Sequence, residues 1–489
     1  MPPVGRHPMN GRGRKRSAWM ECFPIDMDWM AFPSLMPTDA QQSLKRYLHV
    51  VVLCTLVAII NSIDRTAMSV AIMPMSVEYG WSSSAKGAIS SAFNIGHMVT
   101  NLVGGWAAAI YPPKDVLSWG VVVWSLFTIL TPWSAATRWL PALLLVRALM
   151  GLGEGVAFPS MQAIIKTWVP QDKRSRALSL VYSGHQIGSM VSLLLSPYIL
   201  ASGGVSTLFL LYGSLGFLWL AAWCPLVSHA PPTNQITHHH ESGDTTEASF
   251  QAQSGVSSTG RGVTGKGSVM VMASLAPLRF RDLPWGAFLR SRPLWAIAVA
   301  HSTFGISYNL FIAWLPTYYA EQFGLNVKES SFLSILPWAA MALGTNVSGW
   351  VADALVNRKV MSVTKTRKTL QLVGSVGPGL CLLYLAAVPQ KGSLFDAVTL
   401  LTLAMGLLGC QAGGFASNHQ DICTRYAPLL FGITNACSSL AGAGGVYTVG
   451  AILDYTTGRW SLVLVLVAAV NFVAAAVYCL FATSEPLFD

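Results

Sequence analysis

The chain has 489 residues, of which 53% are hydrophobic and only 11% are charged, and its formal net charge is +10. Soluble domains carry about 25% charged residues, so this composition excludes a soluble globular protein. Repeated apolar runs of about 20 residues predict an all-α polytopic membrane protein, and their continuity argues against a transmembrane β-barrel. The basic balance fits loops beside anionic membrane lipid rather than nucleic acid, because no nucleic-acid-binding module accompanies it.

Twelve apolar segments follow a polar, arginine-rich tail at 1–46 and predict twelve transmembrane helices. Their approximate bounds are 47–75, 85–109, 115–136, 139–167, 176–201, 205–227, 293–320, 330–355, 368–388, 394–417, 428–453 and 460–483. The segment 228–287 interrupts the series, and its Ser, Gly and Thr content predicts a flexible cytoplasmic linker. We therefore expect six-helix bundles at 47–227 and 288–484, followed by a short tail at 485–489.

Positive charge is distributed unevenly between the two sides of these helices. With both termini inside, 24 of the 31 Lys and Arg residues fall in the inside tails and loops, and five fall in the outside loops. Positive residues mark cytoplasmic loops, so we expect an N-in, C-in topology.

The two predicted bundles also share a weak internal repeat. Three residues of the first bundle recur in the second at spacings of 242 to 244: Pro74 with Pro316, Glu78 with Glu321, and Trp106 with Trp350. A parallel repeat of this kind places its binding site near the bilayer midplane, between the two bundles. This is the architecture of a transporter.

The stretch from Arg147 to Pro159 (R-A-L-M-G-L-G-E-G-V-A-F-P) places two charges inside the fourth predicted span. Arg147 and Glu154 are seven residues apart, so they lie on nearly the same helix face, about 10 Å apart along the axis. Each charge at bilayer depth costs about 2.5–3.5 kcal/mol, so both are expected to turn inward. The three glycines around Glu154 allow another helix or a substrate to approach closely. The pair either fixes helix packing or belongs to a substrate or ion pathway, and we favour the pathway.

Several segments resemble the major facilitator superfamily and, within it, the anion:cation symporters. That family includes the type I sodium/phosphate cotransporters, sialin and the vesicular glutamate transporters. The resembling segments are N-S-I-D-R-T-A-M-S-V-A-I (61–72), R-A-L-M-G-L-G-E-G-V-A-F-P-S (147–160), W-L-P-T-Y-Y (314–319) and G-W-V-A-D (349–353). T-K-T-R-K (364–368) and N-H-Q-D-I (418–422) are most similar to the plant anion and phosphate transporter branch. The resemblance covers about 45–485 and implies the major facilitator fold and anion transport.

Arg65, in the first predicted span, is the leading candidate for anion binding. Its planar guanidinium suits the bidentate recognition of phosphate or carboxylate, and the resemblance implies the same role. Asp64 is the alternative partner that would neutralise it, but sequence neighbours on a helix point about 100° apart. Further hydrogen-bonding residues are predicted to line the substrate cavity: Asn61, Tyr182, Gln186, Tyr308, Asn309 and Asn435.

Glu154 is the leading candidate for cation coupling. Burial favours the neutral form of a carboxyl group and a nearby arginine favours the charged form, so movement of Arg147 would change the proton affinity of Glu154. The resemblance implicates this arginine and this glutamate in coupling. His97, His185 and His301 are predicted either to relay protons or to serve as structural hydrogen-bonding groups. His419 is expected at the membrane interface.

These observations predict a secondary active transporter of inorganic phosphate, coupled to H+ or Na+ by alternating access. The alternative substrates are organic anions such as ascorbate or a carboxylate, favoured less because Phe304 occupies a position where some organic-anion members carry arginine. A non-transporting anion sensor is the alternative class. No P-loop, metal-ligand pair or nucleophile–base motif is present, so we expect no enzyme activity, cofactor or bound metal. We expect a monomer in a plastid membrane, with Golgi or plasma membrane as alternatives.

Overall fold

The computed structural model describes residues 38–170, 173–228, 283–387, 393–423 and 426–488. Residues 1–37 of the predicted tail (1–46) and residues 229–282 of the predicted linker (228–287) lie outside the described residues, and the described remainder of each includes the start of a helix. All regular structure within the described ranges is helical. The helices are α1 (Thr38–Tyr79), α2 (Ser83–Ile110), α3 (Pro113–Ala136), α4 (Leu140–Glu154), α5 (Ala157–Trp168), α6 (Arg174–Leu226), α7 (Trp285–Arg290), α8 (Arg292–Phe323), α9 (Val327–Leu333), α10 (Ile335–Asn357), α11 (Val363–Ala387), α12 (Leu394–Leu408), α13 (Phe415–Ile422), α14 (Ala427–Tyr455) and α15 (Trp460–Phe481).

The positions of these helices correspond to the twelve predicted spans, although some predicted spans are divided between two helices. α6 covers two predicted spans, and Gly204 separates them with a φ of 72°. The pairs α4 with α5, α9 with α10, and α12 with α13 each occupy one predicted span. Within the described residues, nine helical segments are long and apolar enough to cross a membrane. The all-α membrane fold is confirmed, whereas the number of crossings and the N-in, C-in orientation remain predictions.

The glycines of α4 allow α2 and α3 to approach it closely, as their spacing predicts. A Cβ atom added at Gly151 would overlap the carbonyl oxygen of Phe93 in α2, and one at Gly155 would overlap the Thr100 hydroxyl. On the opposite side, a Cβ atom at Gly153 would lie 2.7 Å from the backbone nitrogen of Trp124 in α3. Only glycine allows backbones to come this close. The stretch around Glu154 is therefore held between two neighbouring helices.

Small residues and hydroxyl groups hold α1 against α6. The hydroxyl oxygens of Ser62 and Ser189 lie 2.7 Å apart, and the hydroxyl of Ser192 donates to the carbonyl oxygen of Ile63 at 3.0 Å. A Cβ atom at Gly188 would overlap the carbonyl oxygen of Ile59. Because these contacts flank Asp64 and Arg65, they fix the part of α1 that carries both charges.

Polar contacts join the start of α2 to the ends of α8 and α14, and the start of α15 joins the same network through α8. Lys86 forms an ion pair with Glu321, at the end of α8, with Nζ 2.9 Å from Oε1. Trp460, which opens α15, donates its indole N–H to the other oxygen of Glu321 at 3.1 Å. The carboxylate of Asp454, near the end of α14, accepts the backbone N–H groups of Ser83 and Ser84 at 2.8 and 2.7 Å. A carboxylate at a helix N-terminus satisfies otherwise unpaired backbone donors.

The break between α12 and α13 is bridged by side chains of α11. Gln371 accepts the backbone N–H of Phe415 at 3.2 Å, and Arg367 binds both carboxylate oxygens of Asp421 at 2.7 and 3.3 Å. Arg367 also donates to the carbonyl oxygen of Gly413 at 3.1 Å. Irregular backbone inside a membrane protein persists only where protein groups satisfy it. These bonds hold α13 in place next to α11.

The close contact between α2 and α4 predicts that Gly151→Ala destabilises the protein. Its added methyl group would collide with backbone atoms, and overpacking of this kind costs about 1–3 kcal/mol. Gly444→Ala is a matched control, because a Cβ atom there meets nothing within 4 Å. We expect a lower apparent melting temperature in detergent for Gly151→Ala and an unchanged or higher one for Gly444→Ala. Equal melting temperatures for the two variants would contradict the packing described here.

Candidate functional site: a buried cluster of charges

Four charged side chains of α1 and α4 come together inside the protein. Asp64 is completely buried, and Arg147 and Glu154 are each 2% exposed. Glu154 lies within electrostatic range of Arg65, Asp64 and Arg147, and Asp64 lies within range of Arg147. Two acids and two arginines sum to zero formal charge, which is the arrangement that makes charges tolerable inside a membrane protein. The prediction that Arg147 and Glu154 turn inward is confirmed.

Arg65 is held by neutral groups from α2 and α8. Its Nη2 atom donates to Oδ1 of Asn94 at 3.1 Å and to Oδ1 of Asn309. Its guanidinium carbon lies 4.9 Å from the centroid of the Phe93 ring and 5.7 Å from that of Tyr308. Among the described residues, no carboxylate oxygen lies within ion-pair distance of Arg65. Its positive charge therefore remains available to an anion.

The interior carboxylates keep unused hydrogen-bonding capacity. Both oxygens of Asp64 and Oε1 of Glu154 make no hydrogen bond of full geometry to the described protein groups, although Trp124 lies beside Asp64 and Asn61 lies beside Glu154. Nε of Arg147 and Nδ2 of Asn61 are likewise unpaired among these groups. Nη1 of Arg147 contacts the sulfur of Met150 at 2.9 Å. Unpaired buried polar groups are uncommon in proteins and concentrate where ligands or protons bind. The cluster thus has the properties of a binding and coupling site.

Histidine and tyrosine side chains extend this site along α6 and α8. Nε2 of His185 lies 3.0 Å from the hydroxyl of Tyr308, and Phe158 packs edge-on against the same imidazole at 5.5 Å between centroids. Phe158 also stacks on Tyr182 at 5.3 Å, and the Tyr182 hydroxyl accepts from Gln162 at 2.6 Å. These contacts form a continuous path from Arg65 to the 41% exposed side chain of Tyr182.

His97 and Gln186 lie near this group with different surroundings. Nδ1 of His97 lies 2.9 Å from Nδ2 of Asn101 and 3.5 Å from the hydroxyl of Ser439, and its ring stacks on Phe93 at 5.9 Å. His97 therefore borders the Arg65 site through Phe93. Oε1 of Gln186 is buried without a hydrogen-bond partner among the described groups.

His301 and Asn435 belong to a separate polar centre. Nδ1 of His301 lies 3.0 Å from the hydroxyl of Thr434, and Nε2 of His419 lies 2.8 Å from the same hydroxyl. Asn435 lies beside His301. His301 precedes Asn309 by eight residues of α8, which is about 12 Å along a helix axis. The side chain of His419 is 1% exposed and buried within the protein, because α13 turns it toward α14. Its expected place at the membrane interface remains a prediction.

The structure thus brings most of the predicted site residues together and adds others. Sequence reasoning placed Asp64 only as a neutraliser of Arg65, and it passed over Asn94 and Phe93. A signal for them was present, because Phe93, Asn94 and His97 occupy one short polar and aromatic stretch of an otherwise apolar helix. Phe93 and Asn94 contact arginines of other helices, and sequence spacing does not reveal such tertiary contacts.

Comparison with known proteins identifies the family. Residues 54–446 match the model of the Major Facilitator Superfamily. The chain belongs to this superfamily. As its helices are apolar and long enough to cross a membrane, it is an integral multi-pass membrane protein.

Several relatives of this superfamily member are named as plant transporters. It is 37% identical to "Probable anion transporter 4, chloroplastic" of Oryza sativa subsp. japonica, over 92% of this chain and 70% of that protein. It is 36% identical to "Sodium-dependent phosphate transport protein 1, chloroplastic" of Arabidopsis thaliana, over 91% and 80% of the two chains. It is also 36% identical to "Ascorbate transporter, chloroplastic" of Arabidopsis thaliana, over 92% and 77%. The resemblance to the plant branch is confirmed.

Solved structures agree on the fold. A bacterial homolog of the human lysosomal transporter Spinster, in an inward-facing and unoccupied conformation, aligns with a TM-score of 0.68. It is 17% identical, and the alignment covers 89% of this chain and 97% of that one. A D-xylose-proton symporter aligns with a TM-score of 0.66 at 14% identity, over 90% and 100% of the two chains. At these identities the similarity establishes the fold alone.

Proposed function

We propose that this protein is a secondary active transporter of a small anion, with inorganic phosphate as the leading substrate and H+ or Na+ as the coupled cation. The observation that carries the proposal is the guanidinium of Arg65. Within the described residues it contacts amide oxygens and aromatic rings and has no carboxylate partner. An arginine in this state keeps its charge and most of its five N–H donors for an anion. The names of the plant relatives support the same substrate class.

Charge balance explains how anion and cation movements are linked. The four charges around Glu154 sum to zero, so a bound monovalent anion leaves an uncompensated negative charge inside the protein. Such a charge is costly away from water, and one proton on Glu154 or one Na+ beside the carboxylates restores neutrality. Anion and cation therefore favour each other's binding, which is the requirement for symport.

Alternating access follows from the location of Arg65's partners. Asn94 belongs to the proposed N-terminal bundle at 47–227, and Asn309 belongs to the proposed C-terminal bundle at 288–484. An anion that takes over Nη2 of Arg65 replaces amide contacts to both bundles. In this mechanism, exchange of those contacts accompanies the rocking of one bundle against the other.

Phosphate is favoured over larger, multiply charged anions because Arg65 is the available cationic anchor. Arg147 lies in the electrostatic field of both Asp64 and Glu154, whereas Arg65 lies in that of Glu154 and keeps its hydrogen bonds to neutral amides. Phe304 does not add a second anchor, because it is aromatic and stacks on Tyr308 with centroids 5.7 Å apart. A single arginine suits a monovalent or divalent oxyanion.

Ascorbate is the second candidate substrate, and a specific feature favours it. The contacts from Arg65 to Tyr182 run through the rings of Tyr308, His185 and Phe158, and rings of this kind can contact the flat face of a ring-shaped anion. A carboxylate remains a further possibility of the same class. A non-transporting sensor would bind the anion without counterflow in proteoliposomes, whereas membership of the superfamily favours a transporter over both a sensor and an enzyme.

The first prediction concerns Arg65. Charged hydrogen bonds contribute about 1.5–3 kcal/mol each, so Arg65→Ala is expected to raise the KM for radiolabelled phosphate in proteoliposomes by about 10- to 100-fold. Arg65→Lys keeps the charge but loses the planar fork, and we expect an intermediate KM. Arg176→Ala, which removes an exposed arginine at the start of α6, is the control and is expected to leave the KM unchanged. A normal KM for Arg65→Ala would refute the assignment of the anion site.

The second prediction concerns Glu154. Glu154→Gln keeps the shape of the side chain but cannot exchange a proton or carry negative charge. We expect it to retain phosphate exchange across the membrane and to lose accumulation driven by an imposed pH or sodium gradient. The gradient that drives the wild-type protein identifies the coupled cation. Gradient-driven accumulation at the wild-type level in this variant would exclude Glu154 from coupling.

The third prediction concerns location. The relatives described above are named as chloroplast proteins, and we propose a plastid membrane for this protein. A C-terminal fluorescent fusion is expected to coincide with plastids, and a signal confined to the Golgi or plasma membrane would contradict this.

We also propose a monomer, because one chain supplies the whole Arg65 site. A native mass of one chain in detergent is the expected result.

A further inference from the structure

One aromatic ring contacts both arginines of the charged cluster. The guanidinium carbon of Arg65 lies 4.9 Å from the centroid of the Phe93 ring, and that of Arg147 lies 5.5 Å from the same centroid. Arg65 comes from α1, Arg147 from α4 and Phe93 from α2. The ring therefore links the arginine proposed to bind the anion with the arginine beside Glu154.

The position of Phe93 is closely constrained by the backbone around it. Its side chain is 2% exposed. A Cβ atom at Gly151 would overlap the carbonyl oxygen of Phe93, and a Cβ atom at Gly96 would overlap that of Ala148. These two contacts press α2 against α4 at Phe93 and one turn further along α2. The backbone of Phe93 is therefore held at a fixed distance from the helix that carries Arg147.

An aromatic ring shared by two cations couples their positions. The face of the ring carries partial negative charge and attracts each guanidinium, while the two guanidiniums repel each other. Repulsion between charges is strong in a buried region, because little water screens it. A change in the position or net charge of one guanidinium therefore alters the most favourable position of the other.

We propose that Phe93 is a positioning residue that links anion binding at Arg65 to cation binding at Glu154. This inference rests on the proposed function and names the residue that transmits the coupling. An anion neutralises Arg65 and draws its guanidinium away from Phe93. The ring then attracts Arg147 more fully, and Arg147 interacts less with Glu154. The carboxyl group consequently binds a proton or Na+ more readily.

The charged and titratable groups around Glu154 agree with this direction. Those within electrostatic range of Glu154 are Arg65, Asp64, Arg147 and Tyr308, and those within range of Arg65 include His97 and His185. Of these, the two arginines are the cations that contact Phe93. His97 stacks on Phe93 within α2, and His185 contacts Tyr308 and Phe158; both histidines are unchanged in the test variants.

The decisive comparison uses Phe93→Leu, Phe93→Tyr and Phe209→Leu. Leucine removes the aromatic face, whereas tyrosine keeps it. Phe209 is completely buried in an apolar cluster and makes no cation–π contact within the described ranges, so its leucine variant controls for the loss of packing. Each protein is assayed in proteoliposomes with radiolabelled phosphate, or with radiolabelled ascorbate if the wild type does not take up phosphate. Accumulation driven by the coupling gradient and anion exchange without a gradient are measured in parallel.

We expect Phe93→Leu to lower the ratio of gradient-driven accumulation to exchange by about tenfold. Phe93→Tyr should restore most of the ratio, and Phe209→Leu should leave it unchanged. Equal ratios in the wild type and in Phe93→Leu would overturn the proposal. An equal loss in Phe93→Leu and Phe209→Leu would also overturn it, because the effect would then be one of packing.

A binding experiment separates this proposal from the transporter assignment. Phosphate is added to purified protein, and the rise in apparent melting temperature is compared between pH 6 and pH 8. The titration of phosphate itself is common to all variants. We expect the pH dependence that exceeds the titration of phosphate to be lost in Glu154→Gln and to be clearly reduced in Phe93→Leu, where the direct field of Arg65 on Glu154 remains. If the wild type does not transport but shows this linkage, the transporter assignment fails and the role of Phe93 stands. If Phe93→Leu keeps the wild-type pH dependence, the role of Phe93 is refuted.

Discussion

The structure depends on the burial of four charges that neutralise one another inside apolar helices. An isolated charge in such a place is costly, whereas Asp64, Arg65, Arg147 and Glu154 sum to zero and share electrostatic contacts. Their meeting requires α1 and α4 to lie at a fixed distance. Glycines and serines at the contacts with α2, α3 and α6 provide that distance, because larger side chains would force the helices apart. The close packing of the helices and the mutual neutralisation of the four charges therefore depend on each other.

Arg65 is satisfied by neutral acceptors, which has consequences for binding. Amide oxygens stabilise a guanidinium without cancelling its charge, so a bound anion has only hydrogen bonds to displace and no ion pair to break. A carboxylate in the place of Asn94 or Asn309 would compete with the substrate. The two amides also come from helices that are distant in sequence. Binding of an anion to the Arg65 guanidinium therefore changes the contacts that α1 makes with both α2 and α8.

A second buried polar centre lies in the C-terminal helices. The hydroxyl of Thr434 lies within hydrogen-bonding distance of His301 and His419 and so connects α8, α13 and α14. Arg367 and Gln371 hold the same short helix α13 from the side of α11. The backbone is irregular between α12 and α13, and exposed polar backbone groups are not tolerated in the membrane interior. The polar side chains around α13 satisfy this requirement.

The sequence by itself determined the features that depend on local periodicity and composition. Apolar runs specified membrane helices, the seven-residue spacing placed Arg147 and Glu154 on one face, and glycines indicated close helix contacts. The 100° step between neighbours also explained why Asp64 does not pair with Arg65. Only the tertiary structure decided which distant groups meet. It brought Asn309 to Arg65 across 244 residues, set Phe93 beside two arginines, and separated His301 and Asn435 from the charged cluster. The physical reason is that helix periodicity defines the face on which a side chain lies, whereas the partner of that face depends on how all the helices pack.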